Sequence, residues 1–334
     1  GWIDIKNTEH IIFCLSYLSI PITCQLIEDK KATNVTVISN IPNIIKLISE
    51  LYPSSQTLLV ENNSLKPYDL HKQKLLYRNK FNSIEGCNVY FFFVAYGIIE
   101  SYAINMLSKK NKIFYKKSVD VSHFMGINNL KANIWVKYLK LMLDVPLIPK
   151  SVDGKLLFAL SDEFLTMLNV RDIELPNNIG IIKKRIADKF KLKNKRVLLA
   201  VGGIVDDGIV DKNEYIKKND PLIRHLIKIF GAGQITLKMH PRYENLYSEE
   251  QKLDTIPSCL PGNLIFDQFD IIIGYCSAIL FEAANKGKKV YSTLKYFNPL
   301  TVKTQNQYIE YLTSNLTATS EINYLVHLKD LQVQ

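Results

Sequence analysis

Short runs of β-branched and aromatic residues recur along this chain, spaced so that one helix fits between each pair. This alternation constrains the fold more than any other feature. In the first half the predicted strands are Thr33–Ser39 (TNVTVIS), Thr57–Val60, Asn88–Val94 and Lys112–Tyr115. In the second half they are Arg196–Val201 (RVLLAV), Gln234–Lys238 (QITLK), Asp270–Ile273 (DIII) and Lys288–Tyr291. Amphipathic segments such as Ile41–Tyr52 and Tyr96–Leu107 fill the intervals. Strands alternating with helices predict an α/β chain with parallel sheets covered on both faces. Two such sets in 334 residues predict two Rossmann-like domains facing one another across a cleft. The boundary is expected near residues 150/151, where Pro146–Gly154 (PLIPKSVDG) reads as a linker.

Composition excludes several classes. At 47% hydrophobic and 22% charged residues the chain can bury a core and is not predominantly disordered. Its longest apolar run, Val89 to Glu100, is well short of the roughly 20 residues that cross a bilayer. Five scattered cysteines without a CxxC suit a reducing compartment, and the start GWIDIKNTEH lacks signal-peptide order, so a cytoplasmic location is expected. The +10 net charge favours phosphate-rich or anionic partners. It is concentrated in Lys183 to Arg196, with eight Lys or Arg and one Asp. That run reads either as a solvated helix and turn or as a patch resting on anionic lipid. No nucleic-acid-binding signature accompanies it, so no nucleic-acid partner is expected.

Three predicted strand ends carry the chemistry. In QITLKMHPRYE, Lys238, His240 and Arg242 gather at the carboxyl end of a parallel strand, the edge where open α/β sheets bind ligands, and Pro241 stops the strand just after the imidazole. A histidine there can bond a phosphate and assist a leaving group; the alternative is a structural strand-end histidine. In DIIIGYCSAILFEAANKG, Gly274 permits a turn, Tyr275-Cys276-Ser277 follow, and Ser277 caps a helix whose first N–H groups form an anion site. In LLAVGGIVDDGIVDKNE, Asp206 and Asp207 follow a strand and can act as a general base or metal ligands, or simply mark a D-G turn. No GxGxxG or Walker-type loop is present.

A D/E-D/E-G tripeptide, a His-Pro motif and a serine-bearing strand–helix turn, in this order over about Arg196 to Leu294, resemble the bacterial GT-B sialyltransferases, most closely glycosyltransferase family 52. The resemblance implies a GT-B fold, with residues 1–150 an acceptor-side domain and 151–334 a donor nucleotide-sugar-binding domain. It implies CMP-sialic acid as donor substrate, inversion at the transferred sugar, a glycan or glycolipid acceptor of a bacterial surface, and neither cofactor nor metal. Carried over by motif, His240 binds the CMP phosphate and assists its departure, and Asp206 or Asp207 takes the acceptor proton. Ser277 remains of the family's serine pair, Cys276 replacing the other. Lys238, Pro241, Arg242 and Gly274 complete the donor site. Pro261-Gly262-Asn263 replaces a Pro-x-Glu, leaving Asn263 as the candidate near the nucleoside. Related families place the acid in the N-terminal domain, which makes Asp120 the competing base, and Asn7-Thr8-Glu9-His10 is expected to line the cleft.

The competing readings are a CDP-alditol phosphotransferase of the teichoic-acid type, another GT-B nucleotide-sugar transferase, and a nucleotide-sugar-binding scaffold without turnover. Peripheral contact with the inner face of the plasma membrane and a homodimer both stay open.

Overall fold

The computed structural model describes residues 7–31, 33–60, 67–92, 95–96, 98–116, 125–126, 147–152, 155–160, 166, 168–298 and 301–331. The chain divides into two compact units, Gly1–Asn178 and Ile179–Gln334.

In the first unit the elements run β1 (His10–Phe13), α1 (Ile20–Asp29), β2 (Val35–Ser39), α2 (Pro42–Leu51), β3 (Gln56–Leu59), α3 (Pro67–Phe81), β4 (Asn88–Phe92), β5 (Ala95–Tyr96), α4 (Ile98–Ser108) and β6 (Lys112–Lys116). They continue with β7 (Met125–Gly126), β8 (Leu147–Val152), β9 (Lys155–Leu160) and β10 (Arg171–Asp172). Six strands form a sheet in the order β10-β6-β4-β1-β2-β3, every pair parallel. Ile11, Phe13, Val89 and Phe91 bury one face, with Phe13 stacked on Phe91 at 4.4 Å between ring centroids. The strands β5, β9, β8 and β7 form a separate antiparallel sheet.

The expected boundary and linker are corrected here. Leu147–Val152 is a strand, paired with Lys155–Leu160 from Val152↔Lys155 outward, so the stretch belongs to a sheet of the first unit. Arg171–Asp172 then joins β6 at the edge of the main sheet. The chain leaves this unit only after Gln25 of α1 grips it, through Nε2 to the Pro176 carbonyl (3.0 Å) and its own carbonyl to Asn178 Nδ2 (2.8 Å).

The second unit contains α5 (Ile179–Lys189), β11 (Val197–Ala200), α6 (Lys212–Phe230), β12 (Ile235–Lys238), β13 (Asp254–Ile256), β14 (Ile271–Gly274), α7 (Ala278–Asn285), β15 (Lys289–Ser292), α8 (Leu294–Phe297), α9 (Val302–Ser314) and β16 (Asn323–Tyr324). Its sheet is also fully parallel, in the order β13-β12-β11-β14-β15-β16. Counted within each unit, both sheets follow the doubly wound order 3-2-1-4-5-6, so each is a Rossmann-like unit. Strands buried on both faces read as continuous apolar runs, and Leu198, Ile235, Ile272 and Val290 have no exposed surface. Asp211 caps α6 by accepting from the Asn213 and Glu214 N–H groups, and Gly231 ends it at φ +84°. One stripe of that helix, Leu222, Ile223 and Leu226, packs with Val197, Leu199, Leu237 and Ile273.

Register sets the ligand edge. Lys238 pairs with Ala200, Ala200 with Gly274, and Gly274 with Ser292, so four strands end at one level. Neighbouring strands lie about 4.8 Å apart, which puts the ends of β12 and β14 about 10 Å apart on either side of β11. The order reverses between β11 and β14, the crevice where such sheets bind ligands.

Candidate functional site

The acidic pair occupies a tight turn directly after β11. Asp207 N–H bonds the Gly203 carbonyl (2.9 Å) and Gly208 N–H the Val205 carbonyl (3.0 Å). Gly203 sits at φ +68°, and a Cβ there would lie 2.4 Å from Tyr243 Cδ2, so the Tyr243 ring rests on bare backbone. The Tyr243 hydroxyl donates to Asp207 Oδ1. Asp206 Oδ1 accepts from Asn245 Nδ2 (2.8 Å) and from the Tyr247 hydroxyl (3.4 Å). Both carboxylates are thus held by the segment that follows β12.

His240 opens that segment. Tyr243 N–H bonds the His240 carbonyl at 3.0 Å, closing a turn with Pro241 in its second position, where proline's fixed φ is favourable. The Arg242 N–H lies 3.2 Å from His240 Nδ1, which makes Nδ1 the acceptor and leaves the neutral ring's proton on Nε2. Burial holds the imidazole below its ordinary pKa, helped by the charges of Arg242 and Lys238, while Asp207 pulls the other way. His240 and Asp206 line one small pocket with Gly203, Tyr243, Asn245 and Tyr247. The exposed Arg242 guanidinium stands 5.9 Å from the Tyr243 ring centroid.

Lys238 departs from the arrangement expected of it. Its ammonium donates to the Ser258 carbonyl (2.9 Å) and lies 3.5 Å from that of Met239, tying β12 to the loop after β13. Burial brings its pKa down to about 8. It is a staple in the wall of the site before it is a free cation.

Ser277 takes the N-cap position of α7 in extended backbone (φ −141°, ψ 158°), yet its side chain makes no capping bond. The hydroxyl is buried without a hydrogen-bond partner among the described residues. An unpartnered buried hydroxyl costs about 1–3 kcal/mol. This one stands at a helix start, where the first N–H groups have no carbonyl four residues earlier in the helix, although the Leu280 N–H bonds the Ser277 carbonyl at 3.1 Å. Gly274 is packed tightly; a Cβ there would meet Leu280 Cδ2 at 3.1 Å and the Ala200 carbonyl at 3.4 Å. Cys276 is half-buried, and burial pushes its thiol to about 11, so it stays neutral and does not repel an anion. The short turn Gly262–Leu264 rests on α7, with Ile279 packed where a Gly262 Cβ would stand, and this leaves Asn263 exposed beside the helix.

One expectation does not fit, and one falls where the structure is not described. Asn7–Glu9 precede β1 and His10 opens it, so all four lie at the amino end of the first sheet, where Thr8 Oγ1 bonds Thr36 Oγ1 at 2.8 Å, away from the strands' carboxyl ends. Asp120 lies outside the described residues. Sequence reasoning also missed Tyr243, Asn245 and Tyr247. Their spacing of two, directly after a strand, is a legible signal for polar groups on one side of an extended segment.

Solved structures similar to the chain over most of its length align at low scores. The wall teichoic acid polymerase TagF aligns at TM-score 0.41 and 12% identity over 93% of this chain and 85% of its own. The Methanocaldococcus jannaschii UDP-GlcNAc 2-epimerase, solved with UDP-GlcNAc and UDP, aligns at 0.41 and 13% over 96% and 90%. The spinosyn rhamnosyltransferase SpnG with thymidine diphosphate aligns at 0.37 and 8% over 91% and 90%. At these scores the similarity says nothing about function. No family model matches the chain, and no curated protein matches its sequence.

Proposed function

We propose that the chain is a glycosyltransferase whose second unit holds a nucleotide-sugar donor at the carboxyl ends of β11, β12 and β14, and that it is an inverting sialyltransferase using CMP-sialic acid. The observation that carries this reading is the unpartnered Ser277 hydroxyl at the start of α7, level across the sheet with the strand end that leads to His240. A phosphate seated there accepts from Ser277 Oγ, from the first N–H groups of α7 and from His240 Nε2. As the donor's sugar bond breaks, negative charge grows on the CMP phosphate, and these preset donors stabilise it. The lowered pKa of His240 favours the neutral ring, which keeps one donor at Nε2, and an anion beside the ring raises that pKa toward proton transfer. Asp206, which shares the pocket with His240, is the base that takes the proton of the acceptor hydroxyl. The exposed lysines of the basic run rest on an anionic membrane that carries a lipid-linked acceptor.

Thermal shift against CMP, CDP, UDP and GDP tests the donor class. A ligand at 100 times its Kd adds about 2.7 kcal/mol to stability. CMP as the stabilising nucleotide, with CMP released from CMP-sialic acid in the presence of a sugar acceptor, supports the reading. His240→Ala is expected to lower kcat by about 10²–10³-fold. Stabilisation by UDP or GDP alone, or an unchanged rate in His240→Ala, overturns it. Turnover of CDP-glycerol or CDP-ribitol would assign the phosphotransferase chemistry instead.

A further inference from the structure

Behind the acidic turn lies a carboxylate that the proposed chemistry does not use. Glu250 has no exposed surface. Its Oε1 accepts from the Tyr215 hydroxyl (2.5 Å) and Asn219 Nδ2 (2.9 Å), both on α6, and its Oε2 accepts from the Tyr247 N–H (2.8 Å). Each of these donors is neutral, so among the described residues the carboxylate is buried without a counter-charge, a costly arrangement even for a residue that also completes a capping box with Tyr247. Burial raises its pKa, and the nearby carboxylate Asp220 adds to that, against the pull of its three hydrogen bonds.

What Glu250 grips is the residue that reaches the acidic pair. Tyr247 presents its N–H to Glu250, its ring edge-on to Tyr215 at 5.8 Å and its hydroxyl to Asp206. Between Tyr247 and Glu250 the backbone is strained, with Ser248 at φ +50°. Such a conformation persists only where its surroundings over-determine it, and α6 supplies them. Asp220 accepts from the Ser248 hydroxyl (2.6 Å) and the Glu249 N–H (3.3 Å), and Arg224 pairs with Glu249 (3.4 Å). One chain of contacts therefore runs from the longest helix of the unit through Glu250 and Tyr247 to Asp206.

We propose that Glu250 is a positioning residue for the acidic turn: anchored on α6 by Tyr215 and Asn219, it fixes Tyr247 so that the Tyr247 hydroxyl and the neighbouring Asn245 amide set the direction of Asp206. This rests on Asp206 being the base, and it is tested in two arms so that the two ideas fail separately. In Glu250→Gln the new amide meets donors where an acceptor stood, and in Tyr247→Phe only the hydroxyl is lost. In the deuterated 334-residue protein, the backbone amide resonances of Asp206 and Asp207 are expected to move in both variants while those of Gly274 to Ser277 hold. Resonances of the acidic turn that stay in place overturn the proposal whatever the enzyme's activity. In the kinetic arm, Glu250→Gln is expected to lower kcat about 10–100-fold with donor KM changed less than about threefold, as a misplaced base would. The double variant with Asp206→Asn should be no slower than Asp206→Asn alone, because the two act as one unit. Losses that multiply would refute action through Asp206. Should Glu250→Gln fail to fold, Tyr247→Phe carries both comparisons. Absent turnover in the unmodified protein counts against the glycosyltransferase reading, and the resonance arm still decides the positioning role.

Discussion

The ammonium of Lys238 is held against two backbone carbonyls, yet its burial makes its charge a measurable burden on folding. Its pKa falls to about 8, from about 10.4 in an unfolded chain. Between these two values the unfolded chain binds more protons than the folded one, so stability rises with pH across this window. The cost of the buried charge is fully present below pH 8 and relieved by about pH 10.5. Lys238→Met lacks this titration, so the unmodified protein should gain on it by up to ~3 kcal/mol between pH 7.5 and 10.5. Urea melts of both proteins at these two pH values measure the difference; a constant gap would show that Lys238 is not charged and buried as described. The residue also marks a limit of legibility. A strand-end lysine beside His-Pro-Arg reads as a phosphate ligand, and only the fold brings the Ser258 carbonyl 2.9 Å from its Nζ. Glu250 was illegible for a similar reason, since its partners Tyr215 and Asn219 lie on a helix more than 30 positions earlier. The positions of His240, Asp206, Asp207 and Ser277 just beyond parallel strands were legible, because each follows from a local rule about how such a strand ends.

At the scale of elements, the predicted strands appeared within two residues of where their sequence placed them, as Arg196–Val201, observed as Val197–Ala200, and Asp270–Ile273, observed as Ile271–Gly274, whereas the buried inner strand His10–Phe13 was not among them. The edge strands Arg171–Asp172 and Asn323–Tyr324 are two residues long and carry no period to read. Pro146–Gly154 differs for another reason. Its prolines and glycine are as compatible with a linker as with a hairpin, and the signal for the latter is Asp153-Gly154 between two stretches that pair as strands. Packing between the acidic turn and the segment after His240 yields a prediction of its own. Gly203→Ala must place a methyl where the Tyr243 ring lies and hold alanine at φ +68°. The backbone conformation costs about 1 kcal/mol, and the overlap adds about 1–3 kcal/mol. In the background of Tyr243→Ala the overlap vanishes, so Gly203→Ala should there cost only about 1 kcal/mol. Equal costs in both backgrounds, measured by chemical denaturation, would remove the ring contact from the account of this turn.

Across the whole molecule the question is where a net charge of +10 acts. The basic run from Lys183 to Arg196 lies partly at the amino ends of the second unit's strands, opposite the ligand edge, and several of its cations are already engaged. Lys183 pairs with Asp267 (2.5 Å), Lys195 with Asp254 (2.6 Å), and Arg196 with Asp270 (3.0 Å) while its guanidinium also lies 5.2 Å from the Phe230 ring centroid. Lys184, Lys189, Lys191 and Lys193 are exposed. If the run serves a membrane surface, these four do so and the paired three do not. Each lysine near an anionic leaflet contributes about 1 kcal/mol, so reversing all four to glutamate should lower partitioning onto phosphatidylserine-containing vesicles by at least ~10-fold at low salt. The difference should shrink as the Debye length falls below about 8 Å. Release of CMP from CMP-sialic acid with a soluble acceptor should be unchanged, since none of the four lies at the strand ends that form the site. Changing Lys183, Lys195 and Arg196 to glutamine should instead leave vesicle binding nearly intact and cost at most about 1 kcal/mol of stability per pair. Co-sedimentation of the two triply and quadruply substituted proteins separates a surface that binds from one that holds the sheet's amino edge together, and equal vesicle binding by both would assign the run to solvent.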